Sequence, residues 1–420
     1  MGKTFAQIAA LLFSAAILLM GNGLQVTLLP LRAQVEAFST VQIGLIGSAY
    51  YVGFAAGCFW GPHLVKRVGH IRTFTAMVAI ASAAPLIHSI WLSAEIWWVL
   101  RAASGFCLAT LYMIIESWLN EKATNQNRGT VFSAYTIISL TVVILGQLMI
   151  NFSTVESFIL FSVASVLVSL AAVPLSLSQA TAPAQVQTVR IRLLYLFRLS
   201  PVGVVGAFLV GIQQGAFWSL GPVFADRIGL DTLAITLFMS SAVLGGALGQ
   251  WPLGKLSDRI DRRKVLIGAS IAAAAVSITI RYVYPTLGEG VMLLTLIWGL
   301  MAFPLYSICA AHMNDHVKEG GFLEASSGLL LIFAAGAILG PLIISPFMTL
   351  KTPYALFGWI AAFQLLLVVF TVWRMAVRER VPDSERNEFV ESLNEIQRVY
   401  HSNGSSEKGR SENTGPENHE

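Results

Sequence analysis

Twelve long apolar runs follow one another along this chain, and they limit what it can fold into. Each run is close to the roughly 20 residues that an α-helix needs to cross a bilayer. No water pairs with the backbone inside a bilayer, so such runs must be helical. The sequence therefore predicts an all-α membrane protein with twelve transmembrane helices. These spans lie near 5–30, 42–64, 72–92, 95–119, 129–150, 156–176, 202–225, 233–253, 265–284, 290–313, 325–348 and 354–375.

The composition supports this class and argues against several others. Hydrophobic residues make up 55% of the chain and charged residues 12%, whereas a soluble domain averages about 25% charged residues. The net charge of +4 does not indicate nucleic-acid binding, because most Lys and Arg residues fall in loops on one side. Cys58, Cys107 and Cys309 all lie in apolar runs, which argues against a disulfide framework. No cluster of ligating side chains indicates a metal or a cofactor, so none is expected.

The distribution of basic residues predicts the orientation and the domains. Lys and Arg are concentrated near the termini, in the loop after the sixth run and in the short loops on that side. Basic loops remain in the cytoplasm, so both termini are expected there, in a bacterial inner membrane. The predicted units are a six-helix bundle at 1–176, a cytoplasmic linker at 177–200, a second six-helix bundle at 201–376 and a largely disordered cytoplasmic tail at 377–420.

The two halves repeat each other at a nearly constant offset. The matches fall in corresponding runs of the two halves or just after them. They include Gly105 with Gly299, Tyr112 with Tyr306, Asn120 with Asn314, Gly146 with Gly340, Pro30 with Pro222 and Arg67 with Arg259. A six-span unit duplicated in parallel predicts two pseudo-symmetric six-helix bundles with a binding site between them.

A short charged stretch, Gly254–Lys264, separates the eighth and ninth runs. Its pattern Gly-x-x-x-Asp-Arg-x-x-Arg-Arg resembles the signature loop of the major facilitator superfamily of secondary transporters. Asp261 departs from that pattern, since the family usually has a second glycine there. Two further runs, Glu116–Asn120 and Arg67–Arg72, look like a YcaD-like bacterial branch of the family. The resemblance implies the twelve-helix fold of the superfamily and transport by alternating access, and it implies no substrate.

Glycines recur at every fourth position on three of the spans. They are Gly53, Gly57 and Gly61, then Gly245 and Gly249, and then Gly336 and Gly340. Such faces let helix backbones approach closely. Ordinary packing within each half is one interpretation. The other follows from the resemblance, in which the second span packs on the eleventh and the fifth on the eighth, so that these faces form the moving interface between the halves.

Three candidate functional side chains share one face of the fourth span. At 100° per residue, Arg101, Tyr112 and Glu116 lie within about 60° of each other. An ionisable group at membrane depth is a functional candidate, although one near a helix end can instead reach interfacial water. Arg101 matches a family element to which the resemblance assigns proton coupling, with Ser104 where the family has Gln. Arg101 is therefore expected to take part in proton coupling, whereas Glu116 is a functional candidate that can instead reach interfacial water.

The resemblance also implies that the first, fourth, seventh and tenth spans line a central cavity. Candidate cavity residues are Asn22, Gln25, Arg101, Tyr112, Glu116, Gln213, Gln214, Trp218 and Tyr306. Amides in these apolar helices suit a polar ligand, but hydrogen bonds between helices are a common alternative.

The loops on the basic side provide candidate gating residues. They are Lys66, Arg67, Arg128, Gly254, Asp258, Arg259, Arg262, Arg263 and Glu324. A helix start favours a nearby acid, and by resemblance each of these loops ends near a helix start of the other half. Two ion pairs, Asp258 with Arg128 and Lys66 with Glu324, are therefore expected to favour the outward-open state. The alternative is that these charged residues are solvated and only determine the orientation of the chain in the membrane.

Together these features predict a monomeric secondary active transporter of a small solute, coupled to protons. A lipid flippase of the same fold is an alternative, favoured if the cavity is apolar. A membrane-embedded enzyme or a sensor is an alternative from another class. An enzyme should carry clustered ligating or catalytic side chains at membrane depth, and a sensor should carry a soluble output domain. The sequence contains neither.

Overall fold

The computed structural model of the protein describes residues 2–122, 128–177, 192–317, 321–348 and 352–377. Within these ranges the chain is helical and contains no strand. Twelve helical spans are long and apolar enough to cross a membrane. The predicted fold class is confirmed, and the observed bounds lie within a few residues of the predicted ones.

The first six spans form one half of the molecule. Five of them are single helices, and the sixth is a pair of consecutive helices. Their bounds are α1 (Gly2–Val35), α2 (Thr40–Val68), α3 (His70–Ile90), α4 (Ala94–Lys122), α5 (Arg128–Leu148), α6 (Phe158–Leu170) and α7 (Ala172–Leu177).

The last six spans form the other half, preceded by a short helix. The tenth span is interrupted at Phe303-Pro304, because proline cannot donate a backbone hydrogen bond and breaks the regular helix. The bounds are α8 (Leu193–Leu199), α9 (Pro201–Arg227), α10 (Thr232–Arg259), α11 (Arg262–Leu287), α12 (Val291–Ala302), α13 (Leu305–Asn314), α14 (Phe322–Ile344) and α15 (Ala355–Val377).

Corresponding helices of the two halves pack in the same way. In the first half α2 packs on α4, α1 on α5 and α3 on α6. In the second half α10 packs on α12, α9 on α14 and α11 on α15. The two six-helix bundles are therefore pseudo-symmetric, as the sequence repeat predicts.

Part of the predicted linker is helical. The helix α8 packs on α9 and α14, and its Leu196 is buried in a cluster with Ala207, Met313 and Leu329 of the second half. The linker residues 178–191 and the tail from 378 onward lie outside the described residues.

The charged stretch between the eighth and ninth spans is more helical than the sequence suggests. Helix α10 runs on to Arg259, and α11 begins at Arg262. Only Ile260 and Asp261 lie between the two helices, so most of the charged stretch Gly254–Lys264 is helical rather than a loop. Asp261 ends the turn by accepting a hydrogen bond from the backbone N–H of Arg263.

The glycine faces pack within each half. A Cβ atom on Gly53 would overlap the backbone of Ala102 in α4, and one on Gly249 would overlap the backbone of Leu300 in α12. Likewise, a Cβ on Gly340 would overlap the backbone of Ile212 in α9. The prediction that these faces form the moving interface is wrong, and the packing interpretation is correct.

The two ends of the molecule differ in how the halves meet. We name the end that carries Lys66, Arg259 and Asp315 the basic face, and the other end the opposite face. Hydrogen bonds join the halves at the opposite face. They include Ser48 to Ile338 O at 2.7 Å, Arg227 to Thr40 at 2.7 Å, Gln34 to Asp226 at 3.1 Å, Asn151 to Thr236 at 3.1 Å and Ser240 to Gln147 at 3.0 Å.

Apolar packing also joins the halves near the opposite face. One hydrophobic cluster contains Ile43 and Ile46 of α2 together with Phe217 and Phe224 of α9. Helix α2 contacts α14, α5 contacts α10, and α1 contacts α9. The molecule is therefore closed at the opposite face.

Candidate functional site

A cavity of about 280 Å³ lies between the two halves. Its walls come from α1, α2, α4 and α5 on one side and from α9 and α14 on the other. The lining residues are Asn22, Val26, Leu29, Pro30, Ile43, Ile46, Gly47, Tyr50, Tyr51, Phe54, Arg101, Val143, Trp218, Ser219, Leu330, Phe333 and Ala334. We call this the central cavity. The first, fourth and seventh spans line the central cavity, as expected. The tenth span was also expected to line it, but the second and eleventh spans do so instead.

Arg101 brings a positive charge to the central cavity. It lies two turns inside α4, and 8% of its surface is exposed. Its guanidinium carbon sits 4.2 Å from the centre of the Tyr50 ring of α2, a cation–π contact. Its terminal nitrogen Nη1 is buried without a hydrogen-bond partner. Arg101 is thus held by an aromatic ring and keeps one donor unused.

Asn22 reaches the same cavity from α1. Its amide Nδ2 donates to the hydroxyl of Tyr112 over 3.4 Å, a long hydrogen bond that links α1 to α4. Its Oδ1 is buried without a partner. The structure therefore brings together Asn22, Arg101 and Trp218 around one cavity, with Tyr112 just behind Asn22.

Glu116 lies deeper in the first half, away from the central cavity. Fifteen residues along α4 correspond to roughly 22 Å from Arg101 toward the basic face. The Tyr135 hydroxyl of α5 is hydrogen-bonded to the Glu116 carboxylate. Arg101 and Glu116 are thus two separate ionisable positions on one helix.

A second cavity, of about 480 Å³, lies between α5 and α10. Trp218 lines both cavities and so stands between them. Gln214 lines the second cavity, where its Nε2 donates to the carbonyl of Phe303 at the break in the tenth span, over 3.5 Å. The tenth span therefore contributes here.

Five predicted cavity residues line neither of these two cavities: Tyr112 and Glu116, described above, and Gln25, Gln213 and Tyr306. Gln25 donates to the carbonyl of Gly21 in its own helix, 3.3 Å away. Gln213 is buried, and its Nε2 has no partner. The Tyr306 ring packs edge-on against Phe333 with centroids 5.0 Å apart, and its hydroxyl is buried without a partner.

Sequence reasoning missed the aromatic wall of the central cavity. Tyr50, Tyr51 and Phe54 come from α2, and Phe333 comes from α14. An aromatic side chain in an apolar helix is usually a packing residue, so nothing in the sequence pattern distinguished these four residues as cavity residues. The tyrosine pair was the one available clue, since a phenol inside a span needs a polar neighbour.

The basic face of the second half holds a buried ion network. Arg262 is within 2.8 Å of Asp315 and 3.1 Å of Asp258, and it donates to Ser257 over 3.0 Å. The side chains of Arg262 and Asp315 are 1% and 3% exposed. This network joins the end of α10, the start of α11 and the end of the tenth span.

Asp261, where the family usually has glycine, has its own partner. Its carboxylate pairs with Arg263 at 2.8 Å. Burial alone would raise the pKa of Asp261, but the hydrogen bonds from Arg263 outweigh burial and hold it below its usual value. The departure therefore adds a cap and an ion pair to the loop.

The predicted gating partners are arranged differently in this conformation. Glu324 accepts hydrogen bonds from Nε and Nη2 of Arg192, at 2.9 and 2.8 Å, and one from its backbone N–H. Lys66, Arg67 and Arg259 are exposed. The side chain of Arg128 lies outside the described residues, so its pairing with Asp258 stays a prediction. Lys66 with Glu324 likewise remains a proposal for another conformation.

The described part of the chain offers no group of three or more His, Cys, Asp or Glu side chains that could hold a metal ion. The polar side chains that line the central cavity supply one guanidinium, one amide, two phenols, one indole and one serine hydroxyl, surrounded by apolar walls.

Comparison with known proteins is consistent with this architecture. The family model of the Major Facilitator Superfamily matches residues 11–322 and 203–403. The MFS-type transporter YcaD of Escherichia fergusonii is 27% identical over 350 residues, covering 82% of this chain and 89% of that protein.

Solved structures of transporters share the fold. The nucleoside transporter NupG superimposes with a TM-score of 0.74 at 16% identity, covering 87% of this chain and 98% of that one. A bacterial homologue of the lysosomal transporter Spinster, in an inward-facing and occupied conformation, gives 0.70 at 15% identity, covering 90% and 97%. The family match spans most of the chain, and the chain therefore belongs to the major facilitator superfamily of membrane transporters, with YcaD transporters among its relatives.

Proposed function

We propose that the protein is a secondary active transporter that moves a small solute by alternating access, coupled to protons. The observation that supports this best is the central cavity, which is walled by both halves and closed at the opposite face. A site between two rigid bundles can face either side of the membrane when the bundles rock. The complete cavity is built from one chain, so we propose a monomer as the working unit.

We propose that the basic face is cytoplasmic and that the protein resides in a bacterial inner membrane. The support is the concentration of Lys and Arg at that end, since basic loops resist translocation. Both termini and the linker then lie in the cytoplasm. With the opposite face closed, this conformation corresponds to an inward-facing one.

We propose Glu116 as the residue that carries the coupling proton. Arginine keeps its proton in proteins, so Arg101 can influence coupling only through its fixed charge. A carboxyl can gain and lose a proton, and Glu116 faces Tyr135 inside the first half. An ionisable side chain within a span marks a functional site by default.

A lock across the opposite face tests this proposal. A Cβ placed on Gly44 lies 2.8 Å from the Cβ of Ser345, which is about 1 Å closer than the roughly 3.8 Å of a disulfide, so the two segments must move slightly apart for the cross-link to form. In a cysteine-free background, Gly44→Cys with Ser345→Cys should cross-link on oxidation. The single variants, oxidised in the same way, are the controls.

The readout is uptake from a mixture of bacterial metabolites into proteoliposomes, identified by mass spectrometry. Proteoliposomes that contain the protein without the cross-link should take up at least one solute that empty liposomes do not take up. Oxidation of the double variant should abolish this uptake, and a reductant should restore it. Unchanged uptake in the oxidised double variant would contradict alternating access.

A lipid flippase is the second candidate, because the walls of the central cavity are mainly apolar. The cavity volume of about 280 Å³ favours a small solute instead, since it is at the lower end of sites that enclose one small ligand. Scrambling of a headgroup-labelled lipid in the same proteoliposomes would support the flippase.

A further inference from the structure

Arg101 is a buried cation without a counter-charge in its cavity. Among the described residues that line the central cavity, none is Asp or Glu, and Glu116 is about 22 Å away along α4. The Tyr50 ring stabilises one face of the guanidinium, 4.2 Å away, while Nη1 is buried and has no hydrogen-bond partner. A buried charge is costly unless it is paired and hydrogen-bonded. An anionic ligand would supply both at Nη1.

The rest of the cavity sets what else the ligand can be. Tyr50, Tyr51, Phe54, Trp218 and Phe333 form aromatic walls. Such walls favour an apolar body, above all a flat ring that can stack. The volume of about 280 Å³ limits that body to a compact one.

Asn22 gives the site one further polar contact. Its Oδ1 is buried without a partner and its residue is 8% exposed. This oxygen can accept a hydrogen bond from a hydroxyl or amide on the ligand. It cannot neutralise a second charge, so the site offers one full charge together with neutral hydrogen-bonding groups.

We propose that the central cavity binds a small organic monoanion, with its carboxylate on Arg101 and its ring or aliphatic body against the aromatic walls. This inference rests on the proposed function and names its substrate class. A dianion would leave its second charge unpaired in an apolar cavity, and an organic cation would be repelled by Arg101. Neutral molecules could accept a hydrogen bond from the guanidinium but would leave its charge without a counter-charge.

A ligand series on the unmodified full-length protein tests the charge requirement. Benzoate is the probe, measured by calorimetry in detergent at neutral pH, with cyclohexanecarboxylate as a non-aromatic monoanion. Benzamide carries no charge, benzylamine carries one positive charge and phthalate carries two negative charges. We expect the monoanions to bind and the other three to bind weaker by about tenfold or more. Equal binding of benzoate and benzamide, or no binding of either monoanion, would overturn the proposal.

Substitutions test the assignment to Arg101. Arg101→Gln should remove the preference for benzoate over benzamide, while Arg101→Lys should keep part of it because the charge remains. Arg374→Gln, on α15 outside the cavity, is the control and should bind as the unmodified protein does. A preserved benzoate preference in Arg101→Gln would overturn the assignment.

The two proposals fail in distinguishable ways. Benzoate binding that depends on Arg101, together with no solute uptake in proteoliposomes, would contradict transport but leave the anion site in place. Uptake of neutral or cationic solutes that persists in Arg101→Gln would support transport and overturn the anion site.

Discussion

Gly47 of α2 faces Ser219 of α9 so closely that a Cβ atom on Gly47 would overlap both the Cβ and the Oγ of Ser219. Both residues line the central cavity on the side of the opposite face. Nearby, Ser48 donates to the carbonyl of Ile338 in α14 over 2.7 Å. A residue without a side chain at position 47 is therefore what allows the halves to close here.

Gly47→Ala should weaken closure of the opposite face, because its methyl group requires the halves to separate. We expect a larger outward-facing population, measured as faster labelling of Leu330→Cys in a cysteine-free background by an impermeant thiol reagent added at the opposite face. Ser219→Gly should reverse the effect, since the next atom, the Cα of residue 219, is 3.6 Å from the new Cβ. Gly268→Ala is the control, because a Cβ there meets nothing within 4 Å. Equal labelling of Gly47→Ala and the control would rule out this contact as part of the gate.

Glu116→Gln should uncouple transport from protons while leaving the site intact. Glutamine keeps the shape and a hydrogen bond to Tyr135 but cannot exchange a proton. Solutes that the unmodified protein retains should no longer accumulate above equilibrium under a pH gradient, whereas exchange of labelled for unlabelled solute should continue. Tyr135→Phe, which removes only the hydrogen bond, should have a smaller effect. Gradient-driven accumulation at the unmodified level in Glu116→Gln would show that the proton is carried elsewhere.

Substitution of the two acids that contact Arg262 should lower the free energy of unfolding by unequal amounts. Asp315→Asn should lower the free energy of unfolding by about 3–5 kcal/mol, because it leaves a buried guanidinium without its buried partner. The Asp258 side chain is 29% exposed, against 3% for Asp315. Asp258→Asn should therefore cost only about 0–1 kcal/mol. Thermal unfolding in detergent compares the two, and a larger loss for Asp258→Asn would contradict the ranking.

Glu324 should change partners between conformations. Here it binds Arg192 of the linker, and we propose that Lys66 takes its place in the outward-facing state. Lys66→Glu should then favour the inward-facing state, and adding Glu324→Lys should restore the balance. Exposed pairs contribute about 0–1 kcal/mol, so the population ratio should change by at most about fivefold. The same cysteine-labelling assay measures it. A double variant no closer to the unmodified protein than Lys66→Glu would show that the pair does not form.

The sequence was sufficient for the spans and the repeat, because length and hydropathy determine both. It also identified Arg101, Asn22 and Trp218, since a polar or amphipathic side chain in an apolar helix stands out. It could not tell which face of a span meets the cavity. Spans that are apolar all round carry little directional signal, so Gln25 and Gln213 were grouped with Asn22 although they do not line it.

The interface between the halves was harder to predict for a related reason. The regular glycine repeats mark close packing, and that packing lies inside each half. The contact between halves depends instead on Gly44 and Gly47, which follow no four-residue repeat. The partner of Glu324 comes from the linker, where sequence pattern gives no position for a side chain. Both depend on tertiary arrangement rather than on local pattern.

Distances between spin labels on α5 and α10 test alternating access most directly, because these helices belong to different halves and run along each other. Leu145 with Leu237 reports on the opposite face, and Thr130 with Leu256 reports on the basic face; all four positions are exposed. In lipid, at neutral and acidic pH, we expect the two distances to change in opposite directions, one lengthening as the other shortens. Two fixed distances, or two that lengthen together, would contradict the account.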